Sequence, residues 1–287
     1  MFLPRKILEK RLRKMLAEDL GQGDITTVLV VPQGSTAEAH VIAKEEGIVA
    51  GVEEATILLE SLGLKAEPLV KDGEKIKPKQ TVIKIFGDTR TILSVERTLL
   101  NLLSRMSGIA TITRKLTEKL KQANVKVRVA CTRKTAPGLL FFDKKAVLIG
   151  GGDTHRLHLD DLILIKDNHI AVCGSVEEAL KRVKENASFS KKVEIEVSKV
   201  EDVLTAAKAG ADIIMLDNFS PEKITQAIKA LKKAGFLGKV LIEVSGGIKA
   251  ENILKFALEG VDIISLGELT SSPKALDMSL QIIKVLG

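Results

Sequence analysis

Residues 192–218, KVEIEVSKVEDVLTAAKAGADIIMLDN, decide the fold. KVEIEVS is a short β-branched run. VEDVLTAAKAG has helical spacing and stops at Gly210. DIIMLDN is a second short apolar run. Two runs buried on both faces and joined by a helix predict parallel neighbours in one sheet. The pattern repeats in both directions. VKVRVAC and DLILIKD lie upstream, and KVLIEVSGG and VDIISLGE downstream. VEEALKRVKEN, PEKITQAIKALKKAG and KAENILKFALEG supply further helices. Six such runs without a change of pattern favour a closed or nearly closed α/β barrel over an open sheet. KKAVLIGG reads equally as a seventh strand or as the end of a helix.

Upstream of residue 125 the pattern differs. Residues 5–18 predict an amphipathic helix with Ile7, Leu8, Leu12, Met15 and Leu16 on its apolar side. EDLGQGDITT breaks it, with Asp24 or Thr26 closing the turn; it lacks the ligand spacing of a calcium loop. AEAHVIAKEEGIVAG alternates as a strand, GVEEATILLESLG predicts a helix ending at Gly63, and residues 66–86 predict a hairpin. Residues 91–121 predict a long helix with a break at Ser107–Gly108, carrying Arg97 and Arg105. The last run, KALDMSLQIIKVLG, predicts a helix leading into a short strand.

The chain of 287 residues is long enough for about two domains. It has no Trp or Tyr and eight Phe, so aliphatic side chains must form the core. A net charge of +7 and a pI near 9.2 suit anionic ligands. Nucleic acid is disfavoured, because aromatics that would stack on unpaired bases are nearly absent. Cys131 and Cys173 have no metal or redox spacing and fit a reducing, cytoplasmic setting. No run reaches the roughly 18 apolar residues of a membrane span, and no secretory apolar segment opens the chain.

The stretch from Cys131 to His169 holds Arg133, Lys134, His155, Arg156 and Lys166. Arg presents a planar fork to carboxylate or phosphate, and Lys adds a point charge. In a barrel, functional groups come from the C-terminal ends of strands. Thr132, Arg133, Lys134 and Lys166 end the first two runs; Glu194, Glu196 and Asp217 end the middle two. Glu243, Ser245, Gly246, Gly247, Gly267, Glu268 and Thr270 end the last two. Cations suit an anionic substrate, carboxylates suit hydroxyls or a metal, and glycine turns suit a phosphate. Glu194 and Glu196, two apart, share one strand face. Of the two, Glu196 is the expected functional one. The alternative is an internal ion pair with a neighbouring strand's Lys.

These motifs resemble the quinolinate phosphoribosyltransferase family nearly end to end. EDLGQGDITT, ERTLLNLLSRMSGIAT, TRKTAPG, GGGDTHR, IKDNHI, EIEV, MLDNF, SGGI and LGELT match its motifs in order. The resemblance implies an N-terminal α/β sandwich domain over residues 1–108, joined by 272–287, and an incomplete α/β barrel of six or seven parallel strands over 109–271. It implies transfer of the phosphoribosyl group from phosphoribosyl pyrophosphate to quinolinate, with decarboxylation, in NAD biosynthesis. Arg133, His155 and Arg156 would receive the quinolinate carboxylates. Lys134 and Lys166 would hold phosphoribosyl pyrophosphate, Lys134 in a catalytic role. Glu196 and Asp217 would act in catalysis at the ribose and hold Mg²⁺ through water. Ser245, Gly246, Gly247 and Gly267 would bind the 5′-phosphate. A homodimer with shared sites is implied, with Arg97 donated to the partner. Two places depart from the family pattern: Leu140, Phe141 and Phe142 after PGL, and Thr154 before His155. The rivals are a Schiff-base aldolase on the same fold using Lys166 and a non-enzymatic phosphate- or nucleotide-binding accessory protein.

Overall fold

Residues 3–286 are described in a computed structural model, and they divide into two units. The first holds the chain to Arg114 together with Lys145–Gly151 and Ser272 onward; the second holds Lys115–Lys144 and Gly152–Ser271. By contacts the division falls at Arg114, and the seven-residue piece Lys145–Gly151 joins the first unit.

In the first unit, α1 (Arg5–Leu20) buries Leu8, Leu12 and Leu16, one residue per turn. Asp24 caps the short α2 (Ile25–Val30) by accepting from the Thr27 N–H. β1 (Thr36–Ala43) buries every second residue, Ala37, Ala39, Val41 and Ala43. After β2 (Gly47–Ile48) come α3 (Val52–Ser61), β3 (Lys65–Pro68), β4 (Lys75–Ile76) and β5 (Thr81–Asp88). β3 and β5 pair antiparallel, as the hairpin pattern predicts, but β4 leaves that pair and joins β2 in a separate two-stranded sheet.

α4 (Thr89–Gln122) runs unbroken through Ser107–Gly108. Those residues are small for a packing reason. The Ser107 hydroxyl bonds both backbone groups of Ala50, and a Cβ on Gly108 would lie 1.9 Å from the Lys274 carbonyl oxygen.

The second unit is a six-stranded sheet of parallel neighbours. Its strands are β6 (Arg128–Cys131), β7 (Ile163–Ile165), β8 (Val193–Val197), β9 (Ile213–Asp217), β10 (Leu241–Ser245) and β11 (Ile263–Leu266), in the order β6-β11-β10-β9-β8-β7. Between β6 and β7 lies α5 (Leu140–Ile149), which resolves KKAVLIGG as helix end. Asp153 then bridges onto β6 through backbone bonds with Val129 and Cys131, at the edge where the barrel is incomplete. α6 (Asp167–Cys173) starts directly after β7, so IKDNHI leaves the strand at Lys166. α7 (Val176–Asn186), α8 (Val200–Lys208) and α9 (Pro221–Lys233) are amphipathic crossovers. Ser175 and Ser220 cap the first and last of these. α10 (Ile253–Phe256) and α11 (Glu268–Ser271) are single turns.

The C-terminal run holds a strand where a helix leading into one was expected. β12 (Met278–Val285) pairs antiparallel with β1 inside the first unit, giving the order β12-β1-β5-β3. Residues 274–277, just before it, are not helical. β-branched Ile282, Ile283 and Val285 suit a pleated edge better than a helix.

Candidate active site

Strand alternation sets the lining of the barrel. Ile195 and Val197 on β8, Ile214 and Leu216 on β9, and Ile242 and Val244 on β10 are buried away from the interior cavity. The intervening residues face it. The result is layered. Glu194, Glu243 and Ser265 lie deep and are buried. Glu196, Asp217, Ser245 and Lys166 lie at the strand ends. They surround a cavity of about 360 Å³ to which all six strands or their following loops contribute.

Eight of the predicted site residues line that one cavity: Arg133, Lys134, His155, Arg156, Lys166, Glu196, Asp217 and Ser245. Gly267 sits against it, where a Cβ would meet Lys134 Cδ at 3.1 Å. Gly246 (φ +93°) has a packing role besides any ligand contact. A Cβ there would lie 2.3 Å from Asn218 Oδ1, so glycine lets Asn218 close on β10 and donate to Asp217 Oδ2 at 2.8 Å. Gly247 (φ +64°) faces open space. Arg97 is exposed on α4 in the first unit and is not among the lining residues.

The deep layer holds what the sequence reading missed. His155 Nε2 lies 3.2 Å from Glu194 Oε2 and 3.2 Å from Glu243 Oε2. Glu243 Oε1 accepts from the Ser265 hydroxyl at 2.5 Å. The Arg156 N–H donates to His155 Nδ1 at 2.8 Å. Both ring nitrogens are therefore engaged by the protein, which makes His155 a tie between the loop and the barrel floor as well as part of the cavity lining. Burial alone would lower its pKa, but the two acids outweigh burial and push it up to about 10. Burial raises the Glu194 pKa as well. The bond to Nδ1 requires a lone pair there, so the proton that this cluster retains lies between Nε2 and the carboxyls. Glu243 was visible as a strand-end acid. Its pairing with a histidine 88 residues away was not.

At the mouth, cations gather. Burial and the neighbouring Arg133 charge both lower the Arg156 pKa. Two guanidiniums this close repel, and an anion between them relieves the repulsion. Lys166 Nζ pairs with Glu196 Oε2 at 3.1 Å. The ion pair anticipated for one acid of EIEV is thus made by Glu196, the acid expected to be functional, while Glu194 meets the histidine. Thr270 donates to the Lys134 carbonyl at 2.8 Å and so fixes the start of the cationic loop.

The C-terminal domain model described as "Quinolinate phosphoribosyl transferase, C-terminal domain" matches residues 109–281, and the N-terminal domain model of the same enzyme matches residues 24–107. The chain belongs to the quinolinate phosphoribosyltransferase family. A probable nicotinate-nucleotide pyrophosphorylase [carboxylating] of Methanocaldococcus jannaschii is 51% identical over 279 residues, covering 96% of this chain and 97% of that one. The rat nicotinate-nucleotide pyrophosphorylase [carboxylating] is 37% identical over 253 residues, covering 88% and 84%. The crystal structure of NadC from Streptococcus pyogenes superposes with a TM-score of 0.91 at 36% identity over the full length of both chains. The quinolinate phosphoribosyltransferase barrel is thus an incomplete α/β barrel with its polar residues gathered at the carboxyl ends of the strands.

Proposed function

We propose that the barrel cavity binds quinolinate and phosphoribosyl pyrophosphate side by side and that the residues lining it carry the reaction. The chain is a carboxylating nicotinate-nucleotide pyrophosphorylase, a phosphoribosyltransferase of NAD biosynthesis. It converts quinolinate and phosphoribosyl pyrophosphate to nicotinate mononucleotide, pyrophosphate and CO₂. One observation supports the site assignment above all: Arg133, Lys134, Arg156 and Lys166 converge on one cavity that also presents Glu196 and Asp217.

The forks of Arg133 and Arg156 take the two carboxylates of quinolinate and orient its nitrogen. Lys134 and Lys166 balance the charge of the phosphorylated sugar. Ser245 and the amides around Gly246, Gly247 and Gly267 take the 5′-phosphate. The ring nitrogen attacks ribose C1 as the C1–O bond to pyrophosphate breaks, and the electron pair leaves with pyrophosphate. The bond from C2 to its carboxylate then breaks and CO₂ leaves, the pyridinium nitrogen stabilises the electron pair left at C2, and a proton from water forms the C2–H bond. The carboxylates of Glu196 and Asp217 fit Mg²⁺. They offer oxygen donors at the cavity wall and belong to no three-donor cluster among the described residues, leaving room for the waters and phosphate oxygens that Mg²⁺ retains. Mg²⁺ bound there supplies positive charge to the pyrophosphate leaving group.

The enzyme works as a homodimer in which Arg97 completes the partner's cavity. Its exposure on α4 and its place outside the lining of its own barrel support that reading. Its setting is the cytoplasm, in keeping with free thiols at Cys131 and Cys173. Among the described residues no helix is long and apolar enough to cross a membrane. An aldolase reading fits less well, because Lys166 is held in an ion pair with Glu196 rather than desolvated for imine formation.

The deciding assay measures pyrophosphate and CO₂ released from quinolinate and phosphoribosyl pyrophosphate, with Mg²⁺ and with EDTA. Equal release of both products, abolished by EDTA, is the expected result. Unchanged turnover in EDTA removes the metal assignment. For the dimer, Arg97→Ala and Lys134→Ala proteins, each inactive, regain activity when mixed as verified heterodimers. No recovery places Arg97 at its own subunit's site.

A further inference from the structure

We propose that Lys144 is a positioning residue that clamps the loop carrying His155 and Arg156, and so sets the geometry with which the cavity receives its dicarboxylate. The proposal rests on the substrate reading above but concerns a side chain that does not line the cavity.

Lys144 is fully buried on α5. Its ammonium donates to the carbonyl oxygen of Thr154 at 2.5 Å and to that of Arg156 at 2.8 Å. These carbonyls flank His155, whose φ is +52°, in the left-handed region that a non-glycine residue rarely adopts. Such a conformation persists only where its surroundings over-determine it. Three local bonds contribute. Asp153 Oδ1 accepts the His155 N–H at 2.8 Å, the Thr154 hydroxyl donates to the His155 carbonyl at 2.8 Å, and the Arg156 N–H donates to Nδ1. All three lie within four consecutive residues and move with the loop. Lys144 reaches in from a helix and holds the carbonyl on each side of the strained residue, which fixes the loop relative to the barrel.

Both of these partners are carbonyls; Cys131 and Asp153 also favour the charge, but burial outweighs them. The ammonium lies directly behind the backbone from which the Arg156 side chain enters the cavity. A lysine suits such a clamp, because an ammonium offers three donors from one atom and two are used here at divergent carbonyls. Arg–carboxylate recognition is planar and bidentate, so even a small backbone shift at residue 156 misaligns the whole fork and costs substrate affinity.

The test is Lys144→Met, which keeps the length and apolar stem but removes the donors. Lys144→Gln, which retains one donor group, is read the same way and decides the matter if the Met variant does not fold. Amide hydrogen exchange over residues 152–158 of the unliganded protein is expected to speed up at least tenfold, with the melting temperature within about 5 °C of the parent. The KM for quinolinate, and its calorimetric Kd, should rise at least tenfold, while the KM for phosphoribosyl pyrophosphate stays within about twofold. Unchanged exchange in a folded variant overturns the clamp. Faster exchange with an unchanged quinolinate KM, or equal rises in both KM values, overturns its positioning role. If the parent protein itself does not turn over quinolinate, the substrate reading fails, and the exchange experiment still decides the clamp.

Discussion

Lys144 and Lys145 are adjacent on one helix and both buried, yet they meet opposite surroundings. Lys145 Nζ contacts two carboxylates of α3, Glu53 and, at 2.6 Å, Glu54. Burial alone would lower its pKa, but the acids win and raise it. Lys144 faces two carbonyls, and burial, the largest influence on it, lowers its pKa. A raised lysine pKa means that the fold favours the charge, and a lowered one means that the fold bears a cost for it. The first unit uses its buried lysine to hold itself together. The barrel keeps a buried lysine that costs stability and fastens a loop at the cavity. Side chains that break local rules without a stabilising return are expected at functional sites.

The largest effect should come from breaking the matched pair. Lys145→Met leaves the fully buried Glu54 without its cation, and removing one partner of such a pair typically costs about 3–5 kcal/mol. Chemical unfolding should show that loss, while kcat/KM of the folded variant stays near that of the parent. A loss below about 1 kcal/mol would mean that the two lysines do not differ as described. Next, Arg156→Ala should weaken quinolinate binding on the order of 100-fold with little change in stability, since it removes a charge-assisted fork and relieves repulsion with Arg133. Calorimetric titration checks the first half and thermal melting the second. A smaller effect tests whether burial or charge matters at Glu54: adding Glu54→Leu to Lys145→Met should recover about 1–3 kcal/mol of the loss, because a neutral pair of similar volume leaves no orphaned charge.

The same contrast explains what was legible in the sequence. The six barrel strands were readable because each is a short apolar run whose interior face repeats every two residues, and the cations and acids followed from strand ends. Long-range packing was not readable. Ser107–Gly108 looks like a helix break until the Lys274 carbonyl is found where a Cβ would sit. The C-terminal run looks partly helical until β1 supplies the partner that makes it a strand. Lys144 carried no local signal beyond a basic residue amid LLFF and AVLI, because its partners are backbone atoms ten and twelve residues on. Glu194 gave a signal, the polar partner of Glu196 on one strand face, but the histidine it meets comes from a loop before β7.

The last effect is set by pH and separates the two regions without a mutation in either lysine. In the barrel, His155 rises from an ordinary value of 6.5 to about 10 in the fold. The folded state therefore binds more protons than the unfolded state between those values. Stability from the raised His155 pKa is complete below about pH 6.5 and is lost as pH rises toward 10, with a slope of at most about 1.4 kcal/mol per unit. Lys145, raised from 10.5, contributes a constant amount through that window and begins to lose it only at higher pH. Lys144, lowered from 10.5, has the opposite sign, since deprotonation relieves its burial cost. The cluster is isolated by subtraction: His155→Asn combined with Glu194→Gln and Glu243→Gln keeps a residue that tolerates the left-handed backbone and removes the titrating ring together with the two buried acids it would leave unpaired. Unfolding free energies measured from about pH 6 to 10 should fall more steeply in the parent than in the variant. Parallel curves would mean that the two buried acids do not hold a proton in the barrel floor, and the difference between the regions would then rest on the lysines alone.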